Sequence, residues 1–487
     1  MNPDRVTFEA RQHLAAGRVD AAVVLLEKAQ REGNITRDGS RTLSQSLVQQ
    51  GKLHLAIDCQ KSLLQASLEQ ADQQARDDAF FLAQILQMAM YYEDATRIAR
   101  QLVARDAGDT GAVQLLSTLT LWLDGPDAAA AIIGEGADWS RMPVQLLCDS
   151  LAYRTDPDPG LIERVERLAE DPSQDPQGRA DLLMALAQHY DRKGDYDRAW
   201  DLAVQGNRLA PARQRQNWHA LLKIHRDIYR SLDNCPDHDL PRHCYLLGTP
   251  RSGQSLVQSI LAASPDAMSV GERGALLQHI LYRSGEIARM PPGQRASLYA
   301  QLAEADYNGL VRMGGIPALV VDKSPLHLPV AGSVARIHPS ARLGAVLRDP
   351  ADTAMSIWLR SFPPVYDYAN DIVAILEHLD FALDAIMAWQ GDGLEIRLFD
   401  HARLIAQPAA AGKAMFDWLN LGWDPSYLEP EQRTAPVATF SAAQVREPIS
   451  PAVARGAKPY ADKLAPYEEQ LDRLRTKTAS LLSARNG

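Results

Sequence analysis

A glycine-rich segment that contains one arginine stands in the second half of the chain, with the sequence GTPRSGQS at residues 248–255. The apolar run before it predicts a strand, and the apolar residues spaced three and four apart after it predict a helix. A loop between a strand and a helix directs backbone amides and the helix N-terminus at an anion. Its register is G-x-x-x-x-G-x-S, with Gln254 where nucleoside triphosphatases carry the lysine that reaches the β- and γ-phosphates. Because Arg251 lies inside the loop instead, we expect the loop to hold the terminal phosphate of a nucleotide.

A second group of polar residues follows the strand predicted over residues 342–347. Arg348 comes directly after this strand, where open α/β sheets bind their ligands. Ser356 and Arg360 are four residues apart on the helix predicted next, and therefore share one face of it. Two guanidiniums and a hydroxyl suit a dianionic phosphate. The alternative is an ordinary amphipathic helix in which Asp349 pairs with a nearby basic side chain.

Group transfer to a hydroxyl needs a base for the hydroxyl proton and cations for the transferring group. Glu272, which follows a glycine, is a candidate base, and Lys323, in the sequence DKSP after the second predicted strand, is a candidate cation. The simpler interpretations are a solvated glutamate that caps the next helix and a strand-end lysine in solvent. We expect structural roles for three histidines that follow predicted strands or turns, His327, His338 and His401.

These segments resemble the motifs of the sulfotransferases that depend on 3′-phosphoadenosine 5′-phosphosulfate (PAPS). The sequence YLLGTPRSGQS at residues 245–255 is similar to the 5′-phosphosulfate loop of that family, above all in the branch with tyrosylprotein and bacterial repeat-fused sulfotransferases. Arg348 and Ser356 match the family's arginine and serine at the 3′-phosphate, and Arg360 matches a further arginine of the tyrosylprotein branch. Residues 439–449 resemble the family's S-x-x-Q-V-x-x-P segment.

The resemblance implies a role for each of these residues. The 3′-phosphate of PAPS would be bound by Arg348, Ser356 and Arg360, and its 5′-phosphosulfate by Pro250, Arg251, Ser252, Gly253, Gln254 and Ser255. Glu272 would be the general base, and Lys323 and Arg251 would stabilise the transferring group. Ser441 would hydrogen-bond the cofactor or the transition state. The implied reaction moves a sulfuryl group from PAPS to an acceptor hydroxyl and requires no metal.

The sequence departs from this family at three places. Gln254 replaces the usual threonine, residues 454–460 lack the tryptophan of the family's Gly-Arg-Trp, and residues 398–404 read LFDHARL in place of Tyr-Glu-Asp-Leu. Two other functions therefore stay open. One is a phosphotransferase or kinase on a variant phosphate loop, against which the missing loop lysine and the absent magnesium carboxylates count. The other is a repeat scaffold whose catalytic domain has decayed.

The first half of the chain repeats itself. The sequence GRVDAA at residues 17–22 recurs as GKLHLA at 51–56, as MYYEDA at 90–95 and as GDYDRA at 194–199. Each copy lies between two amphipathic stretches, which predicts helical hairpins in which glycine permits the turn and alanine lets the helices approach. The pattern resembles tetratricopeptide repeats over residues 5–215. Such an array implies a groove for a protein or peptide, whereas an irregular helical bundle without a groove is the alternative.

The whole chain, at 487 residues, is too long for one ordinary core. We predict a tetratricopeptide-like helical repeat domain over residues 1–236 and a P-loop-like α/β sulfotransferase domain with a parallel sheet over residues 237–487, separated by a linker at 234–239. The net charge of −10 argues against nucleic acid as a partner. The four cysteines form no CxxC pair and indicate neither a zinc site nor a disulfide framework.

The sequence also bears on the cellular location of the protein and on the acceptor of the sulfuryl group. No stretch approaches the roughly 20 apolar residues of a membrane span, and the N-terminus lacks the apolar core of a signal peptide. We therefore expect a cytoplasmic protein that does not insert into membranes. The acceptor stays open between peptidyl tyrosine, which the branch resemblance suggests, a saccharide, a lipid headgroup and a small metabolite.

Overall fold

The N-terminal half of the chain is helical throughout the residues that the structure describes. The computed structural model describes residues 2–66, 73–134, 138–232, 235, 242–272, 274–313, 317–429, 432–433, 435–438, 442–449 and 456–483. The helices of the N-terminal half are α1 (Pro3–Ala15), α2 (Val19–Arg31), α3 (Arg37–Gln49), α4 (Leu53–Ala66), α5 (Gln73–Met88), α6 (Tyr92–Arg105), α7 (Thr110–Leu123), α8 (Pro126–Ile133), α9 (Val144–Tyr153), α10 (Pro159–Glu170), α11 (Pro176–Lys193), α12 (Tyr196–Leu209) and α13 (Trp218–Ser231). The linker predicted at residues 234–239 lies outside the described residues, except for Cys235.

The four repeat copies share one turn geometry. Gly17, Gly51 and Gly194 have φ angles of 72°, 71° and 83°, and Met90 adopts a φ of 65° in the copy that lacks glycine. In each copy, the residue that follows this positive-φ position donates its backbone N–H to the carbonyl oxygen of the residue five positions earlier. The alanines that end the copies are all 0% exposed: Ala22, Ala56, Ala95 and Ala199. The helical hairpins are therefore repeated in structure as well as in sequence, while their membership of the tetratricopeptide family stays a prediction.

The C-terminal half alternates strands with helices, which confirms the predicted combination of a helical region and an α/β region. Its strands and helices are β1 (Arg242–Leu247), α14 (Gln254–Leu261), β2 (Ala267–Ser269), α15 (Gly274–Tyr282), α16 (Ser284–Arg289), α17 (Pro292–Arg312), β3 (Leu319–Lys323), α18 (Ala331–Ile337), β4 (Arg342–Leu347), α19 (Pro350–Trp358), α20 (Ile372–Gly391), β5 (Ile396–Asp400), α21 (His401–Ala406), α22 (Pro408–Leu419), α23 (Ala461–Leu464) and α24 (Glu468–Ser483). Short 3₁₀ turns lie at Pro325–Val330, Pro425–Leu428, Gln444–Arg446, Lys458–Tyr460 and Ala465–Tyr467.

The five strands form one parallel sheet in the order β2-β3-β1-β4-β5. Because all strands run in the same direction, their carboxyl ends meet at one edge. From β1 the chain moves to β2 and β3 on one side, and β4 then pairs with the other side of β1. The loops after β1 and β4 therefore diverge, and open α/β sheets bind ligands in the crevice at such a switch point. The GTPRSGQS loop follows β1, and Arg348 follows β4.

Buried apolar side chains hold the start of this loop in place. The last five residues of β1 are all buried, and Leu246 packs in a core with side chains of α14 and α22. That core contains Val257, Ile260, Phe416 and Leu419, each 0% exposed. Burying an apolar side chain of this size stabilises the fold by roughly 1.5–3 kcal/mol. The packing of this core therefore holds the carboxyl end of β1, and with it the start of the loop, in one position.

The chain divides into two compact units, Met1–Thr120 with Gly274–His279, and Leu121–Arg273 with Ile280–Gly487. The second unit contains the later helices together with the whole sheet. Within it, the rings of Trp218 in α13 and Phe381 in α20 are 6.3 Å apart, and those of Tyr229 and Trp389 are 5.9 Å apart. The predicted domain boundary between residues 236 and 237 stays a prediction.

In the described part of the chain, no helix combines the length and the apolar character that a membrane crossing requires.

Candidate active site

The phosphate-loop candidate connects the buried end of β1 to the first turn of α14. Gly248 and Gly253 have positive φ angles of 137° and 105°, and Arg251 adopts a φ of 66° although it is not glycine. A Cβ atom on Gly253 would lie 2.4 Å from Cδ2 of His401, the first residue of α21. Position 253 therefore requires glycine, and the loop packs directly on the His401 imidazole.

Gln254 begins α14, and its side chain points back to the sheet. Its Nε2 atom donates to the carbonyl oxygen of Leu246 at 2.9 Å, and the residue is 3% exposed. The side chain thus ties the loop to β1, and Gln254 offers a ligand its backbone amide. The neighbouring Pro250 and Ser255 are also buried. The amides of the first turn of a helix lack partners inside the helix, so this N-terminus suits an anion.

Ser356 joins the two predicted phosphate motifs. Nε of Arg251 donates to Oγ of Ser356 at 2.9 Å, although the two residues are 105 positions apart. Nη1 of Arg360 lies 2.9 Å from the carbonyl oxygen of Ser356 and 3.4 Å from its Oγ. Nη1 of Arg348 donates to the carbonyl oxygen of Arg251 at 3.1 Å. The residues predicted from two separate segments therefore lie together in the crevice between β1 and β4.

The three arginines of this cluster all have lowered pKa values, for which burial is the largest cause. Burial lowers the pKa of Arg251 well below its usual range, and the nearby Arg360 and Arg348 lower it further. Burial likewise lowers the pKa of Arg348, and it lowers that of Arg360 to about 10. Like charges brought together in a buried place disfavour the charged form. A bound anion would reverse this effect, since it would supply the opposite charge.

Two buried donors at the same place have no hydrogen-bond partner within the described ranges. They are Nε of Arg348 and Oγ of Ser252. Ser252 is 3% exposed, and the side chain of Arg348 is 15% exposed. A buried polar atom without a partner is unfavourable, so each is a candidate contact for a ligand.

The structure adds two residues that the sequence interpretation missed. Nη2 of Arg251 donates to Oε1 of Gln444, which is the glutamine of the S-x-x-Q-V-x-x-P resemblance. Oδ1 of Asp352 accepts the backbone N–H of Ala457 at 2.6 Å, and its Oδ2 lies 3.7 Å from Nη2 of Arg348. The motif itself could have pointed to Gln444. Nothing in the sequence pairs Asp352 with Ala457, since that contact depends on how the C-terminal segment packs.

Glu272 and Lys323 form an ion pair. Lys323 ends β3, its backbone N–H donates to the carbonyl oxygen of Gly271 at 2.9 Å, and its side chain is 4% exposed. The side chain of Glu272 is 36% exposed, so it can reach a substrate. Burial raises the pKa of Tyr366 well above its usual range, and the nearby Glu272 carboxylate raises it further.

The predicted site residues within the described part of the chain lie at the carboxyl edge of the sheet. Glu272 follows β2, Lys323 ends β3, Arg251 follows β1 and Arg348 follows β4. Ser441, the remaining predicted site residue, lies outside the described residues.

Two of the three histidines expected to be structural lie in a buried network. Nδ1 of His338 is 2.7 Å from the hydroxyl of Tyr245, and His327 also contacts the Tyr245 ring. His338 forms, with His243 and Asp306, a group whose composition could hold a metal ion. The two imidazole rings are stacked, however, with centroids 4.0 Å apart and planes 15° apart. Because an imidazole lone pair lies in the ring plane, stacked rings do not direct both lone pairs at one ion.

His401 is placed differently, because it packs on the phosphate loop. Burial lowers its pKa to about 4, and the nearby Arg348 contributes to the shift. Its ring is therefore neutral at physiological pH and adds no charge beside the arginines. His401 follows β5 directly. The sequence could have indicated a place beside the phosphate loop from this position alone, because residues that follow parallel strands lie at the carboxyl edge of the sheet.

Residues 244–425 match the family model described as Sulfotransferase family. The C-terminal region is similar to sulfotransferases. This match supports transfer of a sulfuryl group in general, and it runs from within β1 to six residues past the end of α22.

Three individual proteins are also similar to parts of the chain. The sulfotransferase domain of the Synechococcus PCC 7002 olefin synthase is 19% identical with a TM-score of 0.35, over 46% of this chain and 90% of that domain. The sulfotransferase domain of the curacin biosynthetic pathway is 14% identical with a TM-score of 0.30, over 46% of this chain and 98% of that domain. An uncharacterized protein of Aquifex aeolicus (strain VF5) is 22% identical over 319 residues, which are 59% of this chain. The chain spans 41% of the length of that relative.

Proposed function

We propose that the C-terminal region transfers a sulfuryl group from PAPS to an acceptor hydroxyl. The observation that carries this proposal is the cluster in which Arg251 and Arg360 contact Ser356, and Arg348 contacts the carbonyl oxygen of Arg251. A buried group of cations is stabilised by an anion, and a phosphate dianion offers two charges and three acceptor oxygens. The similarity of residues 244–425 to the Sulfotransferase family supports a sulfuryl donor.

The donors present suit both ends of PAPS. Arg348, Ser356 and Arg360 would hold the 3′-phosphate, while Arg251 and the amides of residues 252–255 would hold the 5′-phosphosulfate. Nε of Arg348 and Oγ of Ser252 are buried donors that such a ligand would engage. When bound, PAPS supplies the activated sulfuryl group. The side-chain amide of Gln254 is engaged with Leu246, so this residue would contribute its backbone N–H.

The chemistry at the other side of β1 would fall to Glu272 and Lys323. An oxygen of the Glu272 carboxylate would accept the proton of the acceptor hydroxyl. Lys323 has three N–H donors, and besides the one that contacts Glu272 the ammonium would also donate to the transferring group. Burial of Lys323 strengthens its effect on a developing charge.

The acceptor and its delivery are part of the same proposal. The helical repeats would recruit the acceptor or a partner protein, as arrays of hairpins commonly bind extended peptides along one face. Peptidyl tyrosine is the acceptor to test first, because the loop and Arg360 resemble the tyrosylprotein branch.

Titration calorimetry on the full-length protein without magnesium tests the donor. We expect adenosine 3′,5′-bisphosphate to bind at least about tenfold more tightly than ATP, because hydrogen bonds to charged groups at the 3′-phosphate contribute about 1.5–3 kcal/mol. The variant Arg348→Ala should lose this preference. A phosphotransferase would use a loop lysine and magnesium carboxylates, so tighter binding of ATP would contradict the proposal.

A further inference from the structure

The last repeat copy forms the hairpin α11–α12, and this hairpin contacts the helix that precedes Arg360 and carries Ser356. Trp200 of α12 packs on Trp358 of α19, with ring centroids 4.4 Å apart. Nδ2 of Asn207 donates to the carbonyl oxygen of Trp358 at 3.0 Å. Trp358 is the last residue of α19, where carbonyl oxygens lack partners inside the helix. The side chain of Asn207 therefore caps this helix end.

The other helix of the hairpin contacts the residues that follow α19. Oγ of Ser361 donates to Oδ1 of Asp181 at 2.7 Å. Burial lowers the pKa of Arg360 to about 10; the carboxylate of Asp191 in α11 opposes this shift, and the neighbouring Arg192 adds to it. The hairpin therefore contacts the chain on both sides of Arg360, at Trp358 and at Ser361.

The hairpin also contacts the C-terminal segment 457–460, which is linked to Arg348 through Asp352. The hydroxyl of Tyr460 donates to Oδ1 of Asp191 at 2.7 Å, and Tyr460 is 2% exposed. Three residues earlier, the N–H of Ala457 donates to Asp352, which in turn lies 3.7 Å from Arg348. A chain of contacts therefore runs from α11 through the segment 457–460 to the second arginine of the proposed phosphate site.

We propose that the last helical repeat is part of the donor site, and that α11–α12 positions Ser356, Arg360 and Arg348 for the 3′-phosphate. Selection of a 3′-phosphorylated nucleotide then depends on residues of the helical half of the chain. Asn207 and Trp200 are positioning residues, because they contact α19 and act on the ligand through it. Recognition of this kind requires side chains held to within about 0.5 Å. This inference rests on the proposed function.

The decisive variant is Asn207→Ala in the full-length protein, since it removes the donor to Trp358 and leaves every proposed ligand contact in place. Calorimetry would compare adenosine 3′,5′-bisphosphate with adenosine 5′-monophosphate, which lacks the 3′-phosphate. The affinity for the bisphosphate should fall about fivefold, as expected for one lost hydrogen bond, while that for the monophosphate should change less than about twofold. Trp200→Leu should act in the same direction. Lys193 ends α11 of the same hairpin, and Lys193→Ala, which removes its exposed ion pair with Asp156, is the matched control and should match the unmodified protein.

The outcomes separate this inference from the function on which it rests. If Asn207→Ala keeps the original ratio of the two affinities, or loses both affinities equally, the hairpin does not position the 3′-phosphate site. If Trp200→Leu does not fold, Asn207→Ala decides alone, with its folding checked by thermal melting. If the unmodified protein binds both nucleotides equally well, the proposed function itself is wrong.

Discussion

Glu272 and Lys323 meet across the carboxyl ends of β2 and β3, so the proposed base and the proposed cation share one contact. This arrangement holds the carboxylate in place before a substrate arrives. Arg348, Ser356 and Arg360 lie on the β4 side of β1, separated from Glu272 by two strands of the sheet. Binding of the 3′-phosphate and proton transfer should therefore respond to different substitutions.

Substitution of Glu272 tests this separation. In Glu272→Gln and Glu272→Ala, turnover of radiolabelled PAPS with a tyrosine-containing peptide should fall at least about 100-fold, the typical contribution of a general base. Affinity for adenosine 3′,5′-bisphosphate should change less than about twofold, because the phosphate contacts lie beyond β1. Glu286→Gln, an exposed carboxylate paired with Arg283, serves as the control. Unchanged turnover in Glu272→Gln would rule out this residue as the base.

Single residues were predictable where a local motif carried them. Arg251, Arg348 and Ser356 follow from strand, loop and helix patterns within short segments. The prediction that Arg360 shares a helix with Ser356 was wrong, because α19 ends at Trp358, yet Nη1 of Arg360 still lies 3.4 Å from Oγ of Ser356. Asp352 and Asn207 were missed because their contacts join segments far apart in the chain. Such contacts depend on tertiary packing, which a single sequence does not display.

At the scale of elements, the third repeat copy has Met90 at the turn position where the other three copies have glycine. Met90 has a φ of 65°, close to the 72° of Gly17 and the 83° of Gly194. Left-handed backbone costs a residue with a Cβ atom roughly 1–2 kcal/mol. The hairpin α5–α6 therefore folds against a local backbone preference that the other hairpins do not face.

Met90→Gly should relieve this strain. We expect the free energy of unfolding to rise by about 0.5–1 kcal/mol, measured by urea denaturation, since the greater freedom of glycine in the unfolded chain offsets part of the gain. The reciprocal change Gly194→Ala should lower it by about 1 kcal/mol, because a Cβ there meets no atom within 4 Å and only the backbone is strained. A loss of stability in Met90→Gly would show that packing of the methionine side chain dominates.

The elements themselves were largely predictable, and their exact ends were less so. The apolar residues at 394–399 predict a strand there, whereas β5 lies at Ile396–Asp400, because Gly393 and Leu394 complete the turn that ends α20. The three-residue β2 was not predicted, since so short a strand has no periodicity to detect. It still matters, because it brings Glu272 to the carboxyl edge of the sheet.

At the scale of the whole molecule, several buried histidines couple stability to pH. Burial lowers the pKa of His225 to about 4, that of His378 to about 3 and that of His401 to about 4. An unfolded chain would titrate these groups near their usual pKa of about 6.5. Between these values the unfolded chain binds more protons, so stability is fully present above pH 6.5 and falls as the pH drops toward 4.

Urea denaturation at pH 7.5, 6.5 and 5.5 measures this effect. The free energy of unfolding should decline between pH 6.5 and 5.5, and each such histidine contributes up to about 1.4 kcal/mol per pH unit. His378→Phe, which keeps an aromatic ring against Tyr368, should make the decline less steep. His219→Phe, at an exposed position, should leave it unchanged. An equal slope in His378→Phe would mean that carboxylates or other groups cause the decline.

The aromatic side chains that α12 and α13 cover have a practical consequence for dissecting the protein. A shortened version starting at residue 237 would uncover Trp358, Phe381 and Trp389, which now pack against Trp200, Trp218 and Tyr229. Large apolar patches opened to water promote aggregation. Expression of the C-terminal region by itself should therefore begin ahead of α11, so that α12 and α13 keep these rings shielded and yield and solubility are preserved.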